Sequence, residues 1–180
     1  MKNISKKKVC LGICLLTLFI LWTALVCLVD VQPIGPQDSV VGFATLNGAF
    51  HRLTGVHMAL YDLTDQLSVL PLGIVLGFAL RGLSQLIKRK SLWKVDFSIL
   101  ALGGFYLAVA AAFVLFEVLA INYRPVLIEG VLETSYPSST TLLVMCIMPT
   151  SMIQIKRRIK PSCLRKILNG LLAVFSLLMV

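Results

Sequence analysis

The 21 residues from Val9 to Val29 contain no charged side chain, and that run limits the possible folds more than any other feature of the chain. In a helix, about 20 apolar residues rise far enough to cross the ~30 Å hydrocarbon core of a bilayer. A basic leader, Met1 to Lys8, precedes the run. The run exceeds the roughly 7–15 residues of a signal-peptide core and no small-residue cleavage site follows it, so it reads as an uncleaved first membrane helix.

Further apolar stretches follow. Leu67 to Ile87 reads as a second membrane helix ending in Lys88-Arg89-Lys90, with Gly73 and Gly77 allowing close helix approach and Arg81 near enough to the surface to snorkel. Phe97 to Ile121 reads as a third, with a small-residue stripe at Gly104, Ala108 and Ala112. Ser138 to Ile155 reads as a fourth, with Pro149 expected to kink it. From Ile167 the chain is apolar again for about fourteen residues to Val180, short of the roughly 20 needed to cross, so a partial fifth helix is expected. The fold class is therefore all-α: one polytopic membrane helix bundle over residues 1–180, four complete transmembrane helices plus a partial fifth, incomplete at its C-terminus.

Composition agrees with this class. The chain is 58% hydrophobic and 14% charged, with a mean hydropathy of +0.91, where soluble domains carry about a quarter charged residues. The net charge of +9 is not spread as on a nucleic-acid-binding face, and no recognition motif with interleaved aromatics accompanies it. Instead it lies in three blocks beside apolar segments, Lys2 to Lys8, Lys88 to Lys94 and Lys156 to Lys166. An excess of Lys and Arg marks the cytoplasmic side. The N-terminus is thus expected in the cytoplasm and the Arg124 to Thr141 stretch outside.

The segment from Asp30 to Gln66 is the longest polar-leaning one. Val41, Phe43, Leu46, Phe50, Leu53 and Val56 recur at helical spacing, which predicts an amphipathic interfacial helix. His51 and His57, the only histidines, point to different faces of such a helix and make no metal pair. The five cysteines have neither zinc-ligand nor disulfide-framework spacing. No metal or cofactor is expected.

The candidate chemistry lies between the third and fourth apolar segments. Arg124-Pro125 closes the third, and Tyr136-Pro137-Ser138-Ser139-Thr140-Thr141 opens the fourth. Helix N-termini leave N–H groups unpaired and carry partial positive charge, so they bind anions, and arginine adds a planar fork of donors for phosphate oxygens. Glu117 is an ionisable residue near the outer end of the third apolar span.

At these residues the chain resembles the type 2 phosphatidic acid phosphatase family, the lipid phosphate phosphatases grouped with vanadium haloperoxidases. Arg124-Pro125 is similar to the end of the family's Lys-x6-Arg-Pro motif, and Pro137-Ser138-Ser139-Thr140 to its Pro-Ser-Gly-His motif. The resemblance implies metal-independent hydrolysis of lipid phosphates or diphosphates at the outer membrane face, through a phosphohistidine. It implies Arg124, Ser138 and Ser139 as phosphate-binding groups and membrane lipids as partners. Three departures accompany it. Glu117 stands where the family's lysine is expected, and Thr140 stands where its acid histidine is expected. The third motif, with the attacking histidine, falls beyond Val180, so the 180-residue chain is expected to be inactive by itself. The alternative is a non-catalytic membrane protein of the same fold that binds lipid phosphate or a partner.

Overall fold

The computed structural model describes residues 2–180, with side chains from Lys6 onward. It is all-α, with seven helices among the described residues and isolated β-bridges in place of strands. In chain order these are α1 (Lys2–Leu28), α2 (Ala44–Thr54), α3 (Met58–Leu67), α4 (Val69–Arg89), α5 (Phe97–Leu119), α6 (Ser139–Arg158) and α7 (Ser162–Met179). The chain divides into two compact units, residues up to Val56 with Leu119–Tyr136, and His57–Val118 with Pro137–Val180.

In the first unit, one face of α1 carries the packing. Phe19 and Trp22 stack on Tyr136 and Phe43, with ring centroids 6.5 and 5.7 Å apart, and the Thr23 and Tyr136 hydroxyls are 2.8 Å apart. Val26, one turn further along the same face, is buried. The other faces of α1 leave Leu, Ile and Val side chains open, as a helix bathed in lipid tails does. After α1 the chain reverses at Asp30, whose φ is 48°. Gln32 and Val41 then bridge through paired N–H to C=O bonds of 3.1 and 2.9 Å.

The helix expected to begin at Val41 begins at Ala44. Val41 is fully buried in the bridge and Phe43 takes a left-handed conformation, φ 50°. The start is set from a distance: Asp30 Oδ2 accepts from the Thr45 N–H at 2.6 Å, acting as the cap that Phe43 cannot supply. Once begun, α2 turns its apolar residues outward. Leu46, Phe50 and Leu53 are all exposed on one face, the form of a helix lying in a membrane interface.

The second unit is built around α6, which packs against α4 and α7. Val144 and Met148 of α6 meet Met179 of α7, flanked by Leu67, Ile74, Leu172 and Phe175. Helix α6 is continuous through Pro149, and the hydroxyls of Thr150 and Ser151 bond back to carbonyls of the preceding turn, Cys146 and Ile147. Tyr106 of α5 and Thr150 of α6 pair through their hydroxyls at 3.0 Å.

Among the described residues, four helical stretches are long and apolar enough to cross a membrane: Lys6–Leu28, Met58–Arg89, Phe97–Leu119 and Ser162–Met179. Their membership differs from the reading of the sequence at two places. The expected partial fifth helix from Ile167 is a helix of 18 residues, because it starts directly after Pro161 and takes Ser162 to Lys166 into its first turns. The expected fourth, α6, is outside the set. It carries Thr, Ser, Gln and three terminal basic residues, and Ser151 and Gln154 are buried against protein. A helix shielded by its neighbours tolerates polar side chains that a lipid-facing helix does not.

Candidate functional site

Arg124 belongs to the first unit, in the segment between α5 and α6. Residues 123–134 fold back as a hairpin whose turn, Glu129-Gly130, has φ of 49° and 80° at its two central positions. Both are positive, as in the type I′ turn favoured by twisted hairpins. Ile128 and Val131 exchange N–H to C=O bonds of 3.0 and 2.8 Å across it. Beyond, Tyr123 bridges Thr134, leaving four residues on one strand opposite two on the other. The extra length accommodates Pro125, which has no N–H to offer the partner strand.

This hairpin sets Arg124 opposite Glu133. The Arg124 N–H donates to the Glu133 carbonyl at 3.0 Å, and Arg124 Nε lies 3.3 Å from Glu133 Oε2. The arginine singled out as a phosphate ligand therefore has a carboxylate beside it. Both side chains remain about one-third exposed, so the pair is open to exchange with another anion.

Asn122, adjacent in sequence, is the buried anchor of the segment. Its Oδ1 accepts from the Gly42 N–H at 2.6 Å, and its Nδ2 donates to Ser135 Oγ at 2.7 Å. The Ser135 N–H closes the loop on the Asn122 carbonyl at 2.8 Å. Gly42 itself has no room for a side chain, since a Cβ there would lie 2.0 Å from the Val26 carbonyl oxygen.

Ser138, Ser139 and Thr140 belong to the second unit and sit together at the start of α6. Ser138 is the N-cap: its carbonyl accepts the first helical bond, from Leu142 at 2.9 Å, and its hydroxyl accepts from the Thr141 N–H at 3.3 Å. Ser139 and Thr140 open the helix, half-buried, at its positive end. Glu117 stands exposed in the last turns of α5.

The second unit also holds a polar cluster that no motif announced. Asp96, just before α5, accepts from Gln85 Nε2 at 2.9 Å and from Arg89 and Arg158 at 3.3 Å each. Gln85 Oε1 in turn accepts the Asp96 N–H at 2.9 Å. Arg158 also reaches Ser98 Oγ at 3.0 Å and Gln154 Oε1 at 3.1 Å. The Gln85 hydrogen bond, followed by those from Arg158 and Arg89, holds the Asp96 carboxyl below its ordinary value of 3.8. Asp30 is lowered likewise, chiefly by the Thr45 backbone N–H.

Sequence reasoning missed Glu133, Asn122 and Asp96 as partners. A weak signal existed for the first, because Glu-Gly between Val126-Leu127-Ile128 and Val131-Leu132 is a hairpin pattern that brings 124 near 133. Among the described residues no group of three His, Cys, Asp or Glu side chains converges as a metal site. Compared with known proteins, the chain matches no family model, no curated protein and no solved structure.

Proposed function

We propose that this chain is a multi-pass membrane protein of the lipid-phosphate phosphatase type that binds the phosphate of a lipid at the outer face of the cell membrane. Arg124, Ser138 and Ser139 are its phosphate-binding groups. The observation that carries the reading is the start of α6. Pro137 and the Ser138 N-cap leave the first N–H groups of a 20-residue helix at its positive end, and that end follows an Arg-Pro pair in the chain. Orientation rests on charge: the leader, the 88–94 block and the 156–166 block are basic, which favours a cytoplasmic N-terminus. On this reading α6 also crosses the bilayer, its polar residues sheltered by α4 and α7.

Binding is favoured over hydrolysis. Thr140 can donate a hydrogen bond to a leaving oxygen but is no general acid near neutral pH. Glu117 repels phosphate where a lysine would attract it. Glu133 competes for Arg124. Hydrolysis is the second reading, supported by the order in which the two motifs resemble those of the family.

The experiment uses the purified chain in phosphatidylcholine nanodiscs with added phosphatidic acid, following both lipid binding and phosphate release. Phosphatidic acid is expected to bind in preference to phosphatidylcholine, about tenfold more weakly in Arg124→Ala, without phosphate release. Affinity unchanged in Arg124→Ala defeats the proposal. Phosphate release that this variant abolishes establishes hydrolysis in its place.

A further inference from the structure

The basic end of the second unit, away from the motif residues, combines a positively charged corner with an apolar groove. Helix α4 ends at Arg89, Lys90 reverses the chain with φ 51°, and a single 3-10 turn, Leu92–Lys94, leads into α5. Arg89 fastens this corner by donating to the Lys94 carbonyl as well as to Asp96. The 88–96 and 156–166 segments carry four and six Lys or Arg, against Asp96 as their one acidic residue. Asp96 engages Arg89 and Arg158. Lys88, Lys90 and Lys94 are exposed, and among the described residues no carboxylate pairs with them.

An apolar groove of 340 Å³ lies between α4 and α5, lined at one end by Leu86, Leu92 and Val95, the chain neighbours of these lysines. Phe78, Gly82 and Leu86 form one wall, Gly103 the other, and Leu92 and Val95 close the end at the basic corner. Gly103 lines the groove and has nothing within 4 Å of where a Cβ would stand, so a larger side chain there would meet open space. Leu83, Leu100 and Leu107 along its rim are open to the surroundings, which in a bilayer are acyl chains. Trp93, at the tip of the 3-10 turn, is 95% exposed. Tryptophan is enriched at the headgroup level, where its ring is half in hydrocarbon and its N–H is wet.

We propose that an anionic diacyl phospholipid of the bilayer binds here, one acyl chain in the α4–α5 groove and its phosphate and headgroup on Lys88, Lys90 and Lys94. The positive corner selects the sign of the headgroup, and the apolar groove requires that the anion carry a chain. Clustered lysines at a membrane surface attract anionic lipid, and basic pockets between membrane helices hold such headgroups. Asp96 supports the site indirectly: by occupying Arg89 and Arg158 it fixes the corner and leaves the lysines to the lipid.

The test uses the full chain carrying Trp22→Phe, so that Trp93 is the remaining tryptophan. It is reconstituted in phosphatidylcholine nanodiscs doped with acyl-brominated phosphatidylglycerol or acyl-brominated phosphatidylcholine. Brominated phosphatidylglycerol is expected to quench Trp93 at lower mole fraction than brominated phosphatidylcholine. That preference is expected to fall by about fivefold or more in Lys88→Gln/Lys94→Gln, whose altered side chains are exposed and leave the packing alone. Gly103→Leu, which fills the groove, is expected to reduce quenching by the brominated chain. Equal quenching by the two lipids overturns the proposal, as does a preference unchanged in the double lysine variant or quenching unchanged in Gly103→Leu. The probe is a phosphodiester lipid at residues remote in sequence from Arg124 and Ser138, so failure here is separate from failure of phosphatidic acid binding.

Discussion

Asn122 holds Gly42 from 80 residues away, its Oδ1 taking the Gly42 N–H at 2.6 Å in a site where Asn122 is buried. The Tyr123 N–H, 3.4 Å from the Val40 carbonyl, ties the same segment to the turn after α1. Asn122→Ala removes an acceptor and strands a buried N–H, which costs about 1–3 kcal/mol. The expected outcome is a lower midpoint of thermal unfolding in detergent, with a smaller loss in Ser135→Ala, where the backbone bond to Asn122 survives. Equal midpoints for Asn122→Ala and the parent chain would count against this anchoring role.

Gly42 answers to a steric limit. A methyl group there would collide with the Val26 carbonyl oxygen of α1, and backbone cannot move aside as a flexible side chain does. Gly42→Ala is expected to destabilise by about 1–3 kcal/mol, the ordinary cost of overpacking. Accelerated hydrogen exchange at the N–H groups of Phe43 and Ala44, which bond back to Val29 and Asp30, is the local readout.

On the proposed reading, Glu133 competes with phosphate for Arg124. The pair is about one-third exposed, where such contacts are worth roughly 0–1 kcal/mol, so Glu133→Gln leaves stability nearly unchanged. Phosphatidic acid affinity is expected to rise in this variant by up to about fivefold, the equivalent of that same energy. A fall in affinity would place Glu133 among the binding groups.

Asp96 and Asp30 make the fold sensitive to acid. Their folded-state carboxyls titrate below the ordinary 3.8, so each contributes stability that is complete above that value and is lost as pH falls through the lower folded one. The unfolding midpoint is expected to be level from neutral pH to about pH 4 and to decline below it. Asp96→Asn should lower the midpoint at neutral pH and flatten the acid decline. A decline unchanged in Asp96→Asn and Asp30→Asn alike would assign it to other carboxylates.

Ser138 caps α6 through a long bond of 3.3 Å to the Thr141 N–H. Ser138→Ala is therefore expected at the low end of capping losses, about 0.5 kcal/mol, and Ser138→Gly at less. Loss of phosphatidic acid binding in Ser138→Ala beyond what Ser138→Gly shows would mark the hydroxyl as a phosphate contact rather than a cap alone.

The all-α class and the membrane character are legible in the order of residues alone, because both follow from local chemistry. An uninterrupted apolar run such as Val9 to Val29 can satisfy its backbone in lipid only as a helix. The order of residues also marks the helix start at Ser138 and the basic ends of α4 and α6, since caps and charge blocks act within a few residues. Features that depend on distant partners emerge only once the chain is folded. Asp30 moves the start of α2 to Ala44, a hairpin lays Glu133 beside Arg124, and Asn122 reaches Gly42. Asp96 gathers Gln85, Arg89 and Arg158 from two helices. The fold also decides why α6 is polar for a helix in an apolar bundle: shelter comes from α4 and α7. Hydropathy averages residues along a chain and carries no information about which neighbours cover them.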